Sequence, residues 1–323
     1  MPRAHRGRPV DGWLNLDKPA GVTSNAALGA ARRAFGAAKA GHGGTLDPLA
    51  SGVLPIAFGE ATKTVAFVMN GEKSYRFAVA FGSATATDDE EGEITATSDV
   101  RPDDAAIAAM LPRFTGRIVQ VPPRFSAIKI AGKRAYALAR GGAEVDIPPR
   151  EVEIRRLVLV SRPDPDHAVL AADCGKGTYV RALARDIAAA LGTVGHVSEL
   201  RRTRCGPFSE ADAISLDNLP PLGHSAPSLG LLVPVATVLD DIPALAVTEA
   251  EAHALADGQF LELLPILRRS PCPAAAAAPV LRVMCGKRVA ALARAEGLKL
   301  RPVRILHEHE PNDGEIDVDH PGT

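Results

Sequence analysis

Apolar residues recur at helical spacing in some stretches of the chain and gather into short runs in others. Over 179–191, Val180, Leu183, Ile187 and Leu191 fall on one face, and Gly192 stops the pattern, which predicts a helix. Residues 25–35 predict another, capped by Thr23 or Ser24 and ending before Gly36. Short helices are expected over 103–111, with Ile107, Met110 and Leu111 at helical spacing, and over 133–140, closed by Gly141 and Gly142. KSYRFAVAF at 73–81 predicts a strand, and 150–161 and 167–174 predict two more, joined by the Pro-Asp-Pro-Asp turn. Two prolines hold VPPRF at 121–125 extended or turned. GHGGTLDPLASG at 41–52 reads as a loop and ATDDEEGE at 86–93 as a turn. Residues 218–230 read as a linker. A fresh apolar pattern follows: a helix over 249–257, strands over 280–284 and 288–294, and a turn at Gly286-Lys287. PCPAAAAAP at 271–279 reads as an exposed loop. Strands outnumber helices and do not alternate with them as βαβα, so the expected class is α+β with a small β-rich second unit.

At 323 residues the chain suits about two domains of roughly 150 residues. Cys174, Cys205, Cys272 and Cys285 form no Cys-x-x-Cys pair, so neither a zinc knuckle nor a redox pair is encoded, and reduced thiols are expected. No apolar run approaches 18 residues, and no apolar segment follows Arg3, Arg6 and Arg8. Neither a membrane span nor a signal peptide is expected, and the expected location is the cytoplasm.

Lys and Arg number 37 and Asp and Glu 38, a formal charge of −1, which on its own speaks against a polyanionic partner. Counted by segment, the balance divides. Residues 1–40 carry net +5, 111–160 net +6 and 176–206 net +4, while 85–104 carry net −7 and 305–323 net −6. Solvated faces would account for such clustering. The sharper reading is a basic surface for a polyanion with the acidic loops turned away from it.

Phosphate-binding motifs fail. Gly175-Lys176-Gly177 lacks the Ser or Thr after Lys that a P-loop needs, and Gly41-His42-Gly43-Gly44 does not complete a dinucleotide fingerprint. His307 and His309 sit among carboxylates, where a solvated acidic tail is the default reading over a metal pair. Asp47 precedes Pro48 in a small, glycine-rich loop. That pair suits a helix start first, and it also suits a carboxylate on a rigid loop, poised as nucleophile or acid–base group. His42 and Tyr75 each allow a structural or a substrate-facing role. Tyr179 and Arg181 stand two apart where an extended segment enters a helix, and Arg181 is suited to orienting a carboxylate or a phosphate.

Taken together, five ordered motifs resemble the bacterial tRNA pseudouridine synthases of the TruB type. They are GWLNLDKPAGVTS at 12–24, GHGGTLDPLASGVLPIAFGEATK at 41–63, VPPRFSAIKIAGKRAYALAR at 121–140, CGKGTYVRALARDIAAALG at 174–192 and HVSELRRTRCGPF at 196–208. Gly43 stands where Thr is usual, and Cys205 where an aliphatic residue is common. The resemblance implies a mixed or antiparallel central sheet flanked by helices. It implies a catalytic domain over 10–245 with an RNA-gripping insertion at about 100–150. A basic arm over 1–9 precedes it. A small PUA-like RNA-binding domain at 246–305 and an acidic tail over 306–323, expected to be disordered, follow it. The implied reaction converts uridine 55 of tRNA to pseudouridine, with no cofactor and no metal. Asp47 would be the catalytic aspartate, Arg181 its partner, and Tyr75 the ring stacked on the base, with a part in removing the C5 proton. His42, Tyr179 and Leu200 would contact the flipped uridine or its neighbours. Lys18, Pro19, Gly44 and Leu46 would support the catalytic loop. The basic segment with Arg124, Lys129 and Lys133 is the candidate gripping surface. Arg181 would keep Asp47 ionised. A monomer without an obligate protein partner is expected. The rival readings are a non-catalytic tRNA chaperone and the same chemistry on another RNA.

Overall fold

A computed structural model describes residues 7–126, 129–130, 133–134, 147–219 and 229–307. The chain opens with β1 (Gly12–Lys18), α1 (Ser24–Ala34), β2 (Ala40–His42) and β3 (Ser51–Phe58). Next come α2 (Val65–Asn70), β4 (Lys73–Phe81), β5 (Ser83–Thr85) and β6 (Ile94–Thr97). Then follow α3 (Asp104–Met110), β7 (Gly116–Gln120), β8 (Lys129–Ile130) and β9 (Lys133–Arg134). The N-terminal part closes with β10 (Arg150–Asp164), β11 (His167–Cys174), α4 (Val180–Ala190), β12 (Gly195–Cys205), β13 (Phe208–Ser209) and β14 (Ile214–Ser215). The C-terminal part holds β15 (Ala244–Ala246), α5 (Glu249–Ala256), β16 (Leu261–Glu262), α6 (Leu263–Arg269), β17 (Leu281–Cys285), β18 (Arg288–Glu296) and β19 (Lys299–Ile305).

The large sheet runs β14-β1-β3-β12-β4-β11-β10-β7, with β13 beside β12 and β2 beside β3. It is mixed: β1 pairs with β14 and β3 with β12 in parallel, the other pairs being antiparallel. Its central strands are covered on both faces, which explains their unbroken apolar runs. Leu14, Leu16, Leu54 and Ile56 face a core shared with Ala27 and Ala31 of α1 and Val180, Leu183 and Ile187 of α4. Trp13, Val53 and Ala57 face the other way, into a core shared with Val235, Leu239, Val289, Leu292 and Leu306. A five-stranded C-terminal sheet, β15-β17-β18-β19-β16, has its own core around Leu255, Ile266, Leu281, Val283 and Leu300. The architecture is α+β.

Several elements follow the sequence pattern closely. Thr23 accepts from the Ala26 amide and starts α1, and the expected face of α4 is buried as far as Ile187. Others differ. Strands β1 and β3 carry no period-2 signal because both faces are buried. No helix follows Asp47-Pro48; residues 43–50 stay irregular and β3 begins at Ser51. Lys133 and Arg134, expected in a helix over 133–140, instead pair as a strand with Lys129 and Ile130, and the rest of that stretch lies outside the described residues. Arg8 of the expected loose arm bridges Ala37, its amide donating to Gly36 O at 2.7 Å. Leu306, placed in the acidic tail, is buried in the core beneath the C-terminal sheet, while residues 308–323 are outside the described set. The 271–279 loop is largely exposed, yet Ala275 is buried against the C-terminal core. Of the 218–230 stretch, 220–228 are not described, and Leu229–Leu231 form a short 3-10 turn.

Candidate active site

The loop over residues 43–50 is held by two buried cations. Lys18 donates to Pro19 O at 2.8 Å, Val22 O at 2.7 Å and Pro48 O at 3.3 Å. Arg202 donates to Val53 O at 2.7 Å, Gly44 O at 3.0 Å and Thr45 O at 3.5 Å. Ser24 Oγ and the Leu46 backbone exchange hydrogen bonds of 2.8 Å in both directions, tying the loop to the start of α1. Leu46 itself is buried beneath the loop. Gly44 adopts φ +130, a conformation that favours glycine. Each anchored carbonyl removes a degree of freedom from the residue between them, Asp47.

Asp47 keeps 36% of its side chain open to solvent, and its Oδ2 lies 2.9 Å from Arg181 Nε. Arg181 rises from the first turn of α4 and is 5% exposed. Its Nη1 meets Asp89 Oδ2 at 3.1 Å and Thr87 O at 2.8 Å, and its Nη2 meets Phe125 O at 3.0 Å. Both terminal nitrogens of the guanidinium are therefore held, and its position is fixed by the 87–89 turn and the Phe125 carbonyl. The Asp47 contact is a charge contact in which the Nε–H is not aligned with the oxygen. Desolvation raises the Asp47 pKa above the ordinary carboxylate value, with Arg181 pulling it down, Asp89 pushing it up and Lys18 pulling it down. Arg181 favours the ionised form, while the cleft's desolvation opposes it and sets the net direction upward.

Asp89 belongs to the acidic turn that the charge pattern placed away from the basic surface. The structure folds that turn onto the site. Asp88 Oδ2 meets Arg185 Nη1 at 2.9 Å, and Asp89, 2% exposed, pairs with Arg181. The Glu90 amide donates to Val197 O at 3.0 Å and the Val197 amide to Asp88 O at 3.1 Å, joining the turn to β12. Asp88 takes φ +61, a left-handed conformation that Asp tolerates.

Tyr75 lies on β4, in register with Ala172 of β11 and Arg202 of β12. Burial pushes its phenol up to about 12, with Arg202 acting against it. His42, at the end of β2, has its pKa lowered by burial and by Arg202, and its Nδ1 is buried without a partner. Tyr179 caps α4. Its amide donates to Gln120 Oε1 at 2.8 Å and its carbonyl accepts from Gln120 Nε2 at 3.0 Å. Leu200 lines a cavity of about 420 Å³ with Leu49 of the loop, Phe77, Arg76 and Arg201. Burial lowers the Lys18 pKa to about 8, Asp47 acting against it. Pro19 is exposed beside it. Arg124 is exposed in the loop after β7, next to Phe125. Lys129 and Lys133 lie on the β8–β9 hairpin, and only their backbone is described.

The model of the TruB family pseudouridylate synthase (N terminal domain) matches residues 32–180, and that of the tRNA pseudouridylate synthase B C-terminal domain matches 181–225. A tRNA pseudouridine synthase B of Gluconacetobacter diazotrophicus is 56% identical over 305 residues, covering 94% of this chain and 100% of that one. The chain belongs to the TruB family of pseudouridylate synthases. A tRNA pseudouridine synthase B of Caulobacter vibrioides is 53% identical over 95% of this chain and 99% of its own. Among solved structures, a Cbf5-Nop10-Gar1 complex matches 91% of this chain and 84% of the other, at TM-score 0.69 and 26% identity. An H/ACA RNP bound to a substrate RNA containing 2'-deoxyuridine matches in fold, covering 95% of this chain and 92% of the other at TM-score 0.70 and 22% identity.

Within this TruB family chain the residue reading missed Asp89, Arg202, Gln120 and Ser24. Asp89 is one of five carboxylates between 88 and 93, and nothing in the string separates it from its neighbours. Arg202 sits in a run with Arg201 and Arg204, where the strand period was the available signal: it alternates between an outward Arg201, paired with Asp17 and Glu210, and an inward Arg202. The two departures from the family pattern touch: Cys205 Sγ lies 3.7 Å from Gly43 O. A Cβ at Gly43 would stand 2.8 Å from Val68 Cγ1 and 3.3 Å from Trp13, so in this chain Trp13 and Val68 fill the room that a larger residue would need.

Proposed function

We propose that this chain converts uridine 55 in the T-arm loop of tRNA to pseudouridine. The observation that carries the reading is Asp47. It is a partly open carboxylate on an anchored loop, 2.9 Å from an arginine that is itself locked in place, in a chain of the TruB family. The relatives named above are tRNA pseudouridine synthases, which supports tRNA as the substrate class. The reaction breaks the N1–C1′ bond, turns the uracil, joins C5 to C1′ and removes the C5 proton. It is redox-neutral and calls for no cofactor.

Asp47 would attack the substrate covalently or stabilise the sugar cation, as carboxylates do in glycoside hydrolysis. Attack at C1′, attack at C6 and a glycal route are all compatible with a carboxylate in this place. Tyr75 would stack on the base. A phenol held at about 12 is neutral at pH 7, so it would accept the C5 proton only while passing on its own. The uridine must leave its stack, at a cost of a few kcal/mol. The cavity lined by Leu49 and Leu200 borders the 43–50 loop and would take part of the substrate strand, and His42 and Tyr179 would contact the flipped uridine or its neighbours. Lys18, Pro19, Gly44 and Leu46 would support the loop, and phosphate contacts by the basic segments, Arg124, Lys129 and Lys133 among them, would offset the flipping cost. In this reading residues 10–245 are the catalytic domain and 246–305 a PUA-like RNA-binding domain. The enzyme acts as a cytoplasmic monomer.

Tritium release from tRNA labelled at uracil C5 tests the reading. Asp47→Asn should lower the single-turnover rate by at least about a thousandfold while tRNA still binds. Binding without tritium release by the unaltered protein would instead favour the tRNA-folding chaperone. Release from another RNA alone would move the same chemistry to that substrate.

A further inference from the structure

Among the described residues, Arg150 is a cation without an anion. Its Nε and Nη2 are buried and have no hydrogen-bond partner. Arginines near it are supplied: Arg155 pairs with Glu72 and Glu153, Arg156 with Asp173, and Arg185 with Asp88 and Asp186. Leaving guanidinium donors buried and unpaired costs free energy, and such groups in a folded protein call for an explanation.

The surroundings supply one. Arg150 opens β10 and pairs with Gln120 of β7, the residue whose side chain brackets the Tyr179 backbone. Its Cζ stands 4.7 Å over the centroid of the Tyr179 ring, so the guanidinium is oriented by stacking rather than by an acceptor. Gly177 has φ +85, and a Cβ built there meets nothing nearer than Arg150 Cζ at 4.0 Å, which leaves open room beside the cation. Tyr179 starts α4 with no side-chain cap, and no acidic residue sits in the first turn. The helix therefore adds positive potential on the same side. Arg150 is half-buried, so a ligand reaches it from the open side.

We propose that Arg150 is an RNA-backbone contact, its unpaired Nε–H and Nη2–H taking a non-bridging oxygen of a phosphodiester next to the uridine being isomerised. A phosphodiester suits the planar fork of arginine. The contact would fix the substrate strand against Tyr179 only once RNA is bound. The inference rests on the proposed isomerase reading, and its test separates the two.

The experiment uses the full chain with T-arm hairpin RNAs, unmodified or carrying a neutral methylphosphonate at one linkage flanking the target uridine. Arg150→Met should weaken RNA binding about tenfold or more, with kcat at saturating RNA within about threefold of the unaltered enzyme. The slope of log affinity against log salt should fall by about one contact. Arg150→Lys, which keeps the charge and loses the fork, should recover the slope but not the full affinity; it carries the test if Arg150→Met does not fold. One methylphosphonate should cost the unaltered protein what Arg150→Met costs on normal RNA, and the two losses should not add. Unchanged affinity and slope, or losses that add at every linkage, would overturn the assignment. A fall in kcat with the slope unchanged would also overturn it, making Arg150 a support for the Tyr179 ring alone. If the unaltered protein binds the hairpin without isomerising it, the isomerase reading fails, while the salt slopes still decide Arg150.

Discussion

Asp47 is governed by two opposed effects of comparable origin. Its cleft removes water, which favours the neutral acid, and Arg181 supplies a fixed positive charge, which favours the carboxylate; desolvation prevails. Asp89 adds a second negative charge to the same guanidinium and so divides its field. Asp89→Asn should leave tRNA affinity nearly unchanged and lower kcat about tenfold or more, because Arg181 loses one of the contacts that aim it. Steady-state kinetics with KM and kcat separated checks this, and an equal rise in KM would count against it. Lys18 gives a pH dependence. Its pKa in the folded chain, about 8, lies below its ordinary 10.5. Between these values the unfolded chain binds more protons, so this group's contribution makes stability rise with pH across that window. Activity should go the other way. A neutral amine has two N–H donors for three carbonyls, so the loop loosens above about pH 8. Single-turnover rates should fall along a titration near 8, and Lys18→Met should remove that limb while lowering the plateau.

At the scale of elements, the site is assembled where α4 meets the central strands. Three things bring its parts together: the β4–β12 register, which sets Tyr75 beside Arg202; the buried anchors of the 43–50 loop; and the turn at 86–93, stapled to α4. Gly52 marks the loop's end, with φ +99 and an added Cβ only 2.2 Å from Arg202 O. Gly52→Ala should cost about 2 kcal/mol or more, through backbone strain and displacement of the Arg202 strand, read as a lower urea midpoint. Gln120→Ala should cost about 1–3 kcal/mol, since it removes both bonds to the Tyr179 backbone at a partly buried helix start. The amphipathic α4 was legible from its apolar period, and β4 from its β-forming residues. Strands β1 and β3 were not, because burial on both faces erases the period. The Asp47-Pro48 pair was ambiguous for a related reason: its local chemistry suits a helix start, and pairing of the following residues with β1 makes a strand there instead.

At the scale of the whole molecule, one apolar core joins the two halves. Leu292 and Val289 of the C-terminal sheet pack with Trp13 and Val53 of the large sheet. Lys63 Nζ donates to Ile305 O at 2.8 Å and the His307 amide to Glu60 Oε2 at 2.7 Å across the same seam. The two sheets should therefore unfold in one calorimetric transition. Leu292→Ala should lower stability by about 2–5 kcal/mol, and Leu292→Asp should split the transition in two. By itself the sequence determined the α+β class, the amphipathic helix bearing Arg181, the family motifs around Asp47 and the division of charge along the chain. Those features are local or additive along the string. Only the tertiary structure decided that an acidic turn folds inward to put Asp89 on Arg181, that Arg202 rather than Arg201 carries the loop, and that Arg150 stacks on Tyr179 with its donors unpaired. Each joins residues far apart in sequence, and the choice among equivalent side chains is made by burial and strand register, which a one-dimensional pattern does not contain.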